Sequence, residues 1–134
     1  MQSSTPTWLV RAADARRLRD DRYGTVFETC SPVMSALTQL GFAFVEIDAG
    51  AESPAHYHRR MEEIYFITEG AGQMTIGDEA VEVGPGDTIN IPPGAVHKIA
   101  NPGTSPLRFA CATWPPYDPE DDFEVADLTI PTPP

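Results

Sequence analysis

His56 and His58 are separated by one residue, and Glu63 follows five positions after His58, within GAESPAHYHRRMEEIYFITEG (50–70). A strand repeats its side-chain direction every second residue, so an extended segment here turns both imidazoles to one face. Imidazole nitrogen and carboxylate oxygen together suit Fe, Mn, Ni, Zn or Cu. The trio therefore offers three parts of a site for one divalent transition metal ion. The remaining histidine, His97, lies in a second glycine-bounded stretch, GDTINIPPGAVHKIAN (86–101). All 3 histidines of the 134-residue chain thus fall inside two segments. Four such ligands leave one or two positions of an octahedral ion open to water, dioxygen or substrate. That opening separates a catalytic centre from a closed structural one.

To meet, these residues need strands. EEIYFIT (62–68) reads as a strong one, with Glu63, Tyr65 and Ile67 on one face and Glu62, Ile64 and Phe66 on the other. Before it, GTVFETC (24–30) alternates as a strand with one covered face. LTQLGFAFVEI (37–47) is rich in aromatic and β-branched residues, with a bulge or bend expected near Gly41. After it, QMTI and AVEV flank Gly77-Asp78, a two-residue hairpin signal. TINI, HKIAN and LRFACAT follow, separated by turns at Pro92-Pro93-Gly94 and Asn101-Pro102-Gly103. Short strands punctuated by Gly, Pro and Asp every 8–12 residues or so indicate an all-β barrel or sandwich.

The ends read differently. TWLV (7–10) is expected as a short strand that two chains exchange in a dimer. Residues 11–22 have helical propensity but too few apolar side chains to bury a face, so an arm or single turn is expected. Six of the 14 prolines follow residue 114, and the last twenty residues carry six acids and no base. That tail is expected as an irregular segment pinned to the barrel surface or to a neighbouring subunit by Trp114, Tyr117 and Phe123, with TIPTPP frayed or extended. The expected organisation is an N-terminal arm and strands (1–36), a barrel (37–114) and a proline-rich acidic tail packed on it (115–134).

A formal charge of −11, with Lys98 the single lysine, excludes nucleic acid as a partner. Five arginines crowd residues 11–22 and could pair with the acidic tail, although two solvated surfaces are the simpler expectation. No apolar run approaches the roughly 18–20 residues of a membrane span, so no membrane partner is expected. The first residues lack a basic-then-apolar signal, which points to the cytoplasm and to free thiols at Cys30 and Cys111.

The spacings Gly50-x5-His56-x-His58-x4-Glu63-x6-Gly70 and Gly86-x5-Pro92-x-Gly94-x2-His97-x3-Asn101 resemble the two motifs of the cupin superfamily, with every fixed position filled. Only residues 71–85 separate them, as in small single-domain bacterial cupins. The resemblance implies a double-stranded β-helix, or jelly-roll, barrel with a metal held by His56, His58, Glu63 and His97. It also implies a homodimer built by exchange of an N-terminal strand. The looser family spacing admits Glu62, but the gap to Gly70 and the face shared with Tyr65 favour Glu63.

Tyr65 is the candidate catalytic residue. Phe44, Arg60, Gln73 and Cys111 are candidates for the substrate pocket. The leading expectation is a metal-dependent oxidoreductase or dioxygenase acting on a small organic molecule. A metal-assisted isomerase or lyase for a sugar or sugar acid is the alternative, and a non-catalytic metal-dependent binding protein is the third reading.

Overall fold

The glycine- and proline-punctuated runs fold, in a computed structural model, into two antiparallel sheets; residues 5–21 and 24–126 are described. In chain order the strands are β1 (Arg16–Asp21), β2 (Gly24–Cys30), β3 (Gly41–Ile47), β4 (His56–Tyr57), β5 (Glu62–Glu69) and β6 (Gly72–Ile76). β7 (Glu79–Val83), β8 (Thr88–Ile91), β9 (His97–Ala100), β10 (Leu107–Trp114) and β11 (Phe123–Glu124) follow. One sheet has the order β1-β2-β3-β10-β5-β8 and the other β11-β4-β9-β6-β7. This is the expected all-β jelly roll. No helix among the described residues is long and apolar enough to cross a membrane.

Alternation decides which side of each sheet is core. Along β5, Glu63, Tyr65 and Ile67 are buried while Glu62, Ile64 and Phe66 are exposed, as the sequence pattern requires. Ile67, Ile99, Leu107 and Phe109 are at most 2 % exposed and form the centre of the packing. Each such side chain contributes roughly 1.5–3 kcal/mol on burial. Two rows across the six-stranded sheet matter for the site. Gly41, Thr113, Glu63 and Ile91 are successive cross-strand partners, and so are Glu28, Ala43, Cys111, Tyr65 and Ile89.

Four expectations are corrected. Thr7 and Trp8 form a turn, closed by Leu9 N–H donating to Pro6 O, and residues 7–10 hold no strand; Trp8 stands out in solvent. Within residues 11–22 the expected single turn is present at Ala12–Asp14, but Arg16–Asp21 is strand and not an arm: β1 pairs along β2 from Arg16–Glu28 to Asp21–Gly24. A free sheet edge supplies hydrogen bonds that a weakly amphipathic helix cannot match, so pairing overrides propensity. β3 begins at Gly41, leaving LTQL outside the sheet. In the tail, Phe123–Glu124 is a short strand added beside β4, and Trp114 is 51 % exposed and does not pack on the barrel of its own chain.

Both cysteines are free thiols. Head and tail meet at the pair Arg19 Nη2 to Glu124 Oε1, 3.7 Å apart and worth little at such exposure. The TIPTPP end lies outside the described residues.

All four motif glycines have positive φ, but Gly70 and Gly50 differ in their surroundings. A methyl group added at Gly70 (φ 83°) would lie 2.5 Å from Pro106 O, whereas one at Gly50 (φ 80°) would meet nothing within 4 Å. Gly50→Ala should therefore cost about 1 kcal/mol, from backbone conformation alone, and Gly70→Ala at least about 2 kcal/mol. Equal shifts of the two variants in chemical denaturation would contradict this.

Candidate metal centre

β4 is two residues long, yet it sets the geometry. His56 is the cross-strand partner of His97 on β9, which brings their ring centroids within 4.2 Å. His58 follows at the strand end, and its carbonyl accepts a 2.6 Å hydrogen bond from Gly94 N–H. The Pro92-Pro93-Gly94 turn is thereby tied to the strand carrying the first two histidines. Glu63 comes from the facing sheet. One ligand atom from each of His56, His58, Glu63 and His97 lies within 4.8 Å of all the others. Glu62, the rival acid, points to solvent.

The ring tautomers are set by backbone carbonyls. His56 Nδ1 is 2.7 Å from Pro54 O, His58 Nδ1 is 2.7 Å from Asp121 O, and His97 Nδ1 is 2.9 Å from Ala95 O. A carbonyl oxygen only accepts, so each Nδ1 carries the hydrogen and each Nε2 is left to bind inward. There, His58 Nε2 and His97 Nε2 lie 3.0 and 3.4 Å from Glu63 Oε1. Glu63 Oε1 and His97 Nε2 are buried without a hydrogen-bond partner. Convergent, water-excluded lone pairs of this kind fit a divalent cation, which would be held by these four side chains.

The electrostatics agree. Burial and the neighbouring His97 lower the His56 pKa to about 4, so its ring is neutral and ready to ligate. Burial works against ionisation of Glu63, but the His58 and His97 rings outweigh it and hold the carboxyl far below its usual range. Burial likewise disfavours a charged His58, yet the adjacent Glu63 raises its pKa. A cation entering this cluster competes with the His58 proton.

The remaining candidates divide by face. Tyr65 is buried and borders the cavity, with its ring 6.2 Å from that of His97; burial and then Glu63 raise its pKa, which keeps the phenol protonated. Cys111 also borders the cavity, and its thiol donates to Glu63 Oε2 at 3.2 Å. Burial and Glu63 push that thiol well up, so it orients the ligand carboxylate and is not a nucleophile. Three pocket candidates are corrected. Phe44 and Gln73 lie on outward faces, because each is one residue out of phase with the inward alternation of its strand. Arg60 sits in the exposed turn and pairs with Asp118 at 3.1 Å.

The sequence reading missed Asp121. This buried tail residue accepts hydrogen bonds from Arg59, Arg60 and Met61 N–H at 2.8–3.1 Å, and its carbonyl takes the His58 Nδ1 hydrogen. It therefore braces the turn between His58 and Glu63 from both sides. Phe123 stacks on Tyr57 nearby, with centroids 5.1 Å apart. The run DPEDD reads from sequence as solvated acid, and only Asp118, before Pro119, signals a local cap. Beside the cluster lies a cavity of about 240 Å³, walled by Val45, Ile47, Ile99 and Phe109, with Glu28, Tyr117 and Asp122 among its polar edges.

Fold and site together define a β-barrel with a three-histidine, one-glutamate cluster that could hold a metal ion. Residues 43–113 match the Cupin domain family, and the chain belongs to it. An uncharacterized protein of Methanocaldococcus jannaschii is 48 % identical over 75 residues, 56 % of this chain and 60 % of the relative. The mannose-1-phosphate guanylyltransferase RfbM of Salmonella typhimurium is 27 % identical over 79 residues, 59 % of this chain and 16 % of the relative. The matched segment is thus three-fifths of the first relative and about a sixth of the second. A Streptomyces PAC13 variant with uridine superposes with a TM-score of 0.73 at 16 % identity, covering 90 % of this chain and 92 % of that one. Oxalate decarboxylase of Lactobacillus farciminis gives 0.74 at 24 % identity, covering 84 % and 34 %. At these identities the likeness is one of fold.

The role of Asp121 is measurable. Burial opposes its ionisation, but the three backbone N–H donors prevail and depress its pKa. A depressed acid contributes stability that is complete above its unfolded value, about 3.9, and is lost as pH falls through the folded value. Asp121→Asn should cost roughly 1–3 kcal/mol near neutral pH and remove that acid-limb dependence. Because Asn keeps the backbone carbonyl that takes the His58 Nδ1 hydrogen, metal affinity should fall less than the roughly 10–100-fold typical of losing an outer partner. Denaturation across pH and metal titration of the folded variant check both parts.

Proposed function

We propose that the protein is a metal-dependent enzyme acting on a small organic molecule inside the barrel, with oxidation or dioxygen insertion at Fe or Mn as the leading reaction. One observation carries the reading: four ligand atoms converge within 4.8 Å, two of them (Glu63 Oε1 and His97 Nε2) buried without a hydrogen-bond partner, and His56, His58 and Glu63 border a cavity with apolar walls. The ion would supply a charge and coordination positions for dioxygen or for an enol or carboxylate of the substrate. The chain supplies the rest. Val45, Ile47, Ile99 and Phe109 exclude water, Cys111 orients Glu63, and the protonated Tyr65 hydroxyl is available to donate to a substrate oxygen.

A second reading, metal-assisted isomerisation or elimination on a sugar or sugar acid, draws support from the carboxylates of Glu28 and Asp122 at the cavity, which accept hydrogen bonds from hydroxyls. PAC13, of the same fold, is described as a nucleoside dehydratase. Binding without turnover is the third. Protein loaded in turn with Fe, Mn, Ni, Zn and Cu should bind about one ion per chain by elemental analysis. Screened with enols, thiols and catechols, it should consume oxygen above the free-metal blank. Product formed under strict anaerobiosis would instead select the second reading, and an unaltered co-purifying molecule with no turnover the third.

We propose a homodimer whose interface is an exposed apolar sheet face. Residues 7–10 form no strand to exchange, whereas the outer face of the six-stranded sheet exposes Phe42, Phe44, Ile64, Phe66 and Trp114 around Ala110 and Ala112. An apolar face of this kind is what a second copy would cover. Light scattering should give the mass of two chains. Phe44→Glu combined with Phe66→Glu should give one, with the circular dichroism of the β-fold intact.

A further inference from the structure

Glu28 belongs to no ligand set, yet it borders the same cavity and is only 3 % exposed. Its two hydrogen-bonding partners both engage Oε1: Ser31 Oγ donates at 2.9 Å and Arg16 Nη2 lies at 3.0 Å. Oε2 takes no hydrogen bond from a described residue. The Arg16 side chain is about half exposed, so this pair returns little of what burying a carboxylate costs. Thr113 makes an independent case. Its Oγ1 is buried without a partner, directly across from Glu63 in the row that includes Gly41. Native interiors rarely leave such atoms unpaired unless something else satisfies them.

The strand between these two residues is pared down. β3 presents Ala43 beside Glu28 and Gly41 beside Thr113, and a methyl group at Gly41 would come 2.7 Å from Thr113 Oγ1. With strands about 4.8 Å apart, the Glu28 backbone stands about 10 Å from that of Cys111, whose thiol touches Glu63. The small residues leave that span open along the cavity wall.

We propose that Glu28 and Thr113 are the second anchor of the substrate cavity, selecting a small molecule that offers a hydroxyl or amine hydrogen to Glu28 while its other end reaches the metal centre. The inference rests on the reading of His56, His58, Glu63 and His97 as ligands. An ion-paired carboxylate accepts but does not donate, so a terminal O–H or N–H fits, and a second carboxylate or a phosphate is repelled. Thr113, able both to donate and to accept, serves an oxygen closer to Glu63.

The test uses the full chain loaded with zinc and three probes alike at one end: 5-hydroxypentanoate, 5-methoxypentanoate and glutarate. Calorimetry should find the hydroxy acid bound about tenfold or more tightly than the other two. Glu28→Gln should erase that preference, and Thr113→Val should weaken binding of the hydroxy acid. Neither should alter zinc affinity, and Thr113→Val should keep or raise Tm because it removes an unpaired hydroxyl. Equal affinities, no binding of any probe, or a preference that survives Glu28→Gln would overturn the inference. A Glu28→Gln variant that loses Tm in step with binding would do the same, by showing a structural carboxylate. Failure of wild-type protein to take up zinc would instead sink the metal reading. The anchor is then decided on metal-free protein, where 1,5-pentanediol must outbind its dimethyl ether in a manner lost in Glu28→Gln.

Discussion

Three hydrogen bonds from imidazole Nδ1 to backbone carbonyls hold the rest of the site in place. Pro54, Ala95 and Asp121 provide those carbonyls, from a loop, a turn and the tail. Each leaves an Nε2 directed inward, and the three come to rest around Glu63. Without that constraint the rings could rotate and pair as donors with the carboxylate, satisfying the cluster internally. With it, lone pairs face one another in a dry space, an arrangement that a cation relieves.

The constraint explains why a two-residue strand can carry the chemistry. β4 is too short to hold itself, and it is flanked by β9 on one side and the tail strand β11 on the other. Asp121 collects the N–H groups of the turn after His58, and Gly94 collects its carbonyl. The tail, which composition alone marks as a proline-rich acidic appendage, is thereby a structural part of the centre. Its aromatic contribution is local as well, through Phe123 on Tyr57 and the Tyr117 hydroxyl donating to Asp122.

Polarity inside the barrel is unevenly spread. The five-stranded sheet provides the three histidines, and the six-stranded sheet provides Glu63, Cys111, Thr113 and Glu28. Between them lie aliphatic and aromatic walls that remove water and strengthen every charge interaction in the space. Cys111 shows how position decides chemistry: the same thiol that could be a nucleophile when exposed is here a protonated donor aligning Glu63.

What the amino-acid order determined by itself was periodic and local. The alternation in EEIYFIT placed Glu63 inward and Glu62 outward, and the glycine and proline turns marked most strands. Strand period and turn length, which are short-range, aligned His56, His58 and Glu63, while His97 was marked only by its place in the second motif; the four residues meet in one cluster. Tertiary structure decided what depends on partners far along the chain. Residues 16–21 became a strand because β2 offered an edge, Phe44 and Gln73 faced outward because of strand register, and Asp121 reached His58 from 63 positions away. A carboxylate in a sequence is solvated or buried according to which backbone N–H groups or cavities the fold brings beside it. No local pattern distinguishes Asp121 or Glu28 from the exposed acids around them.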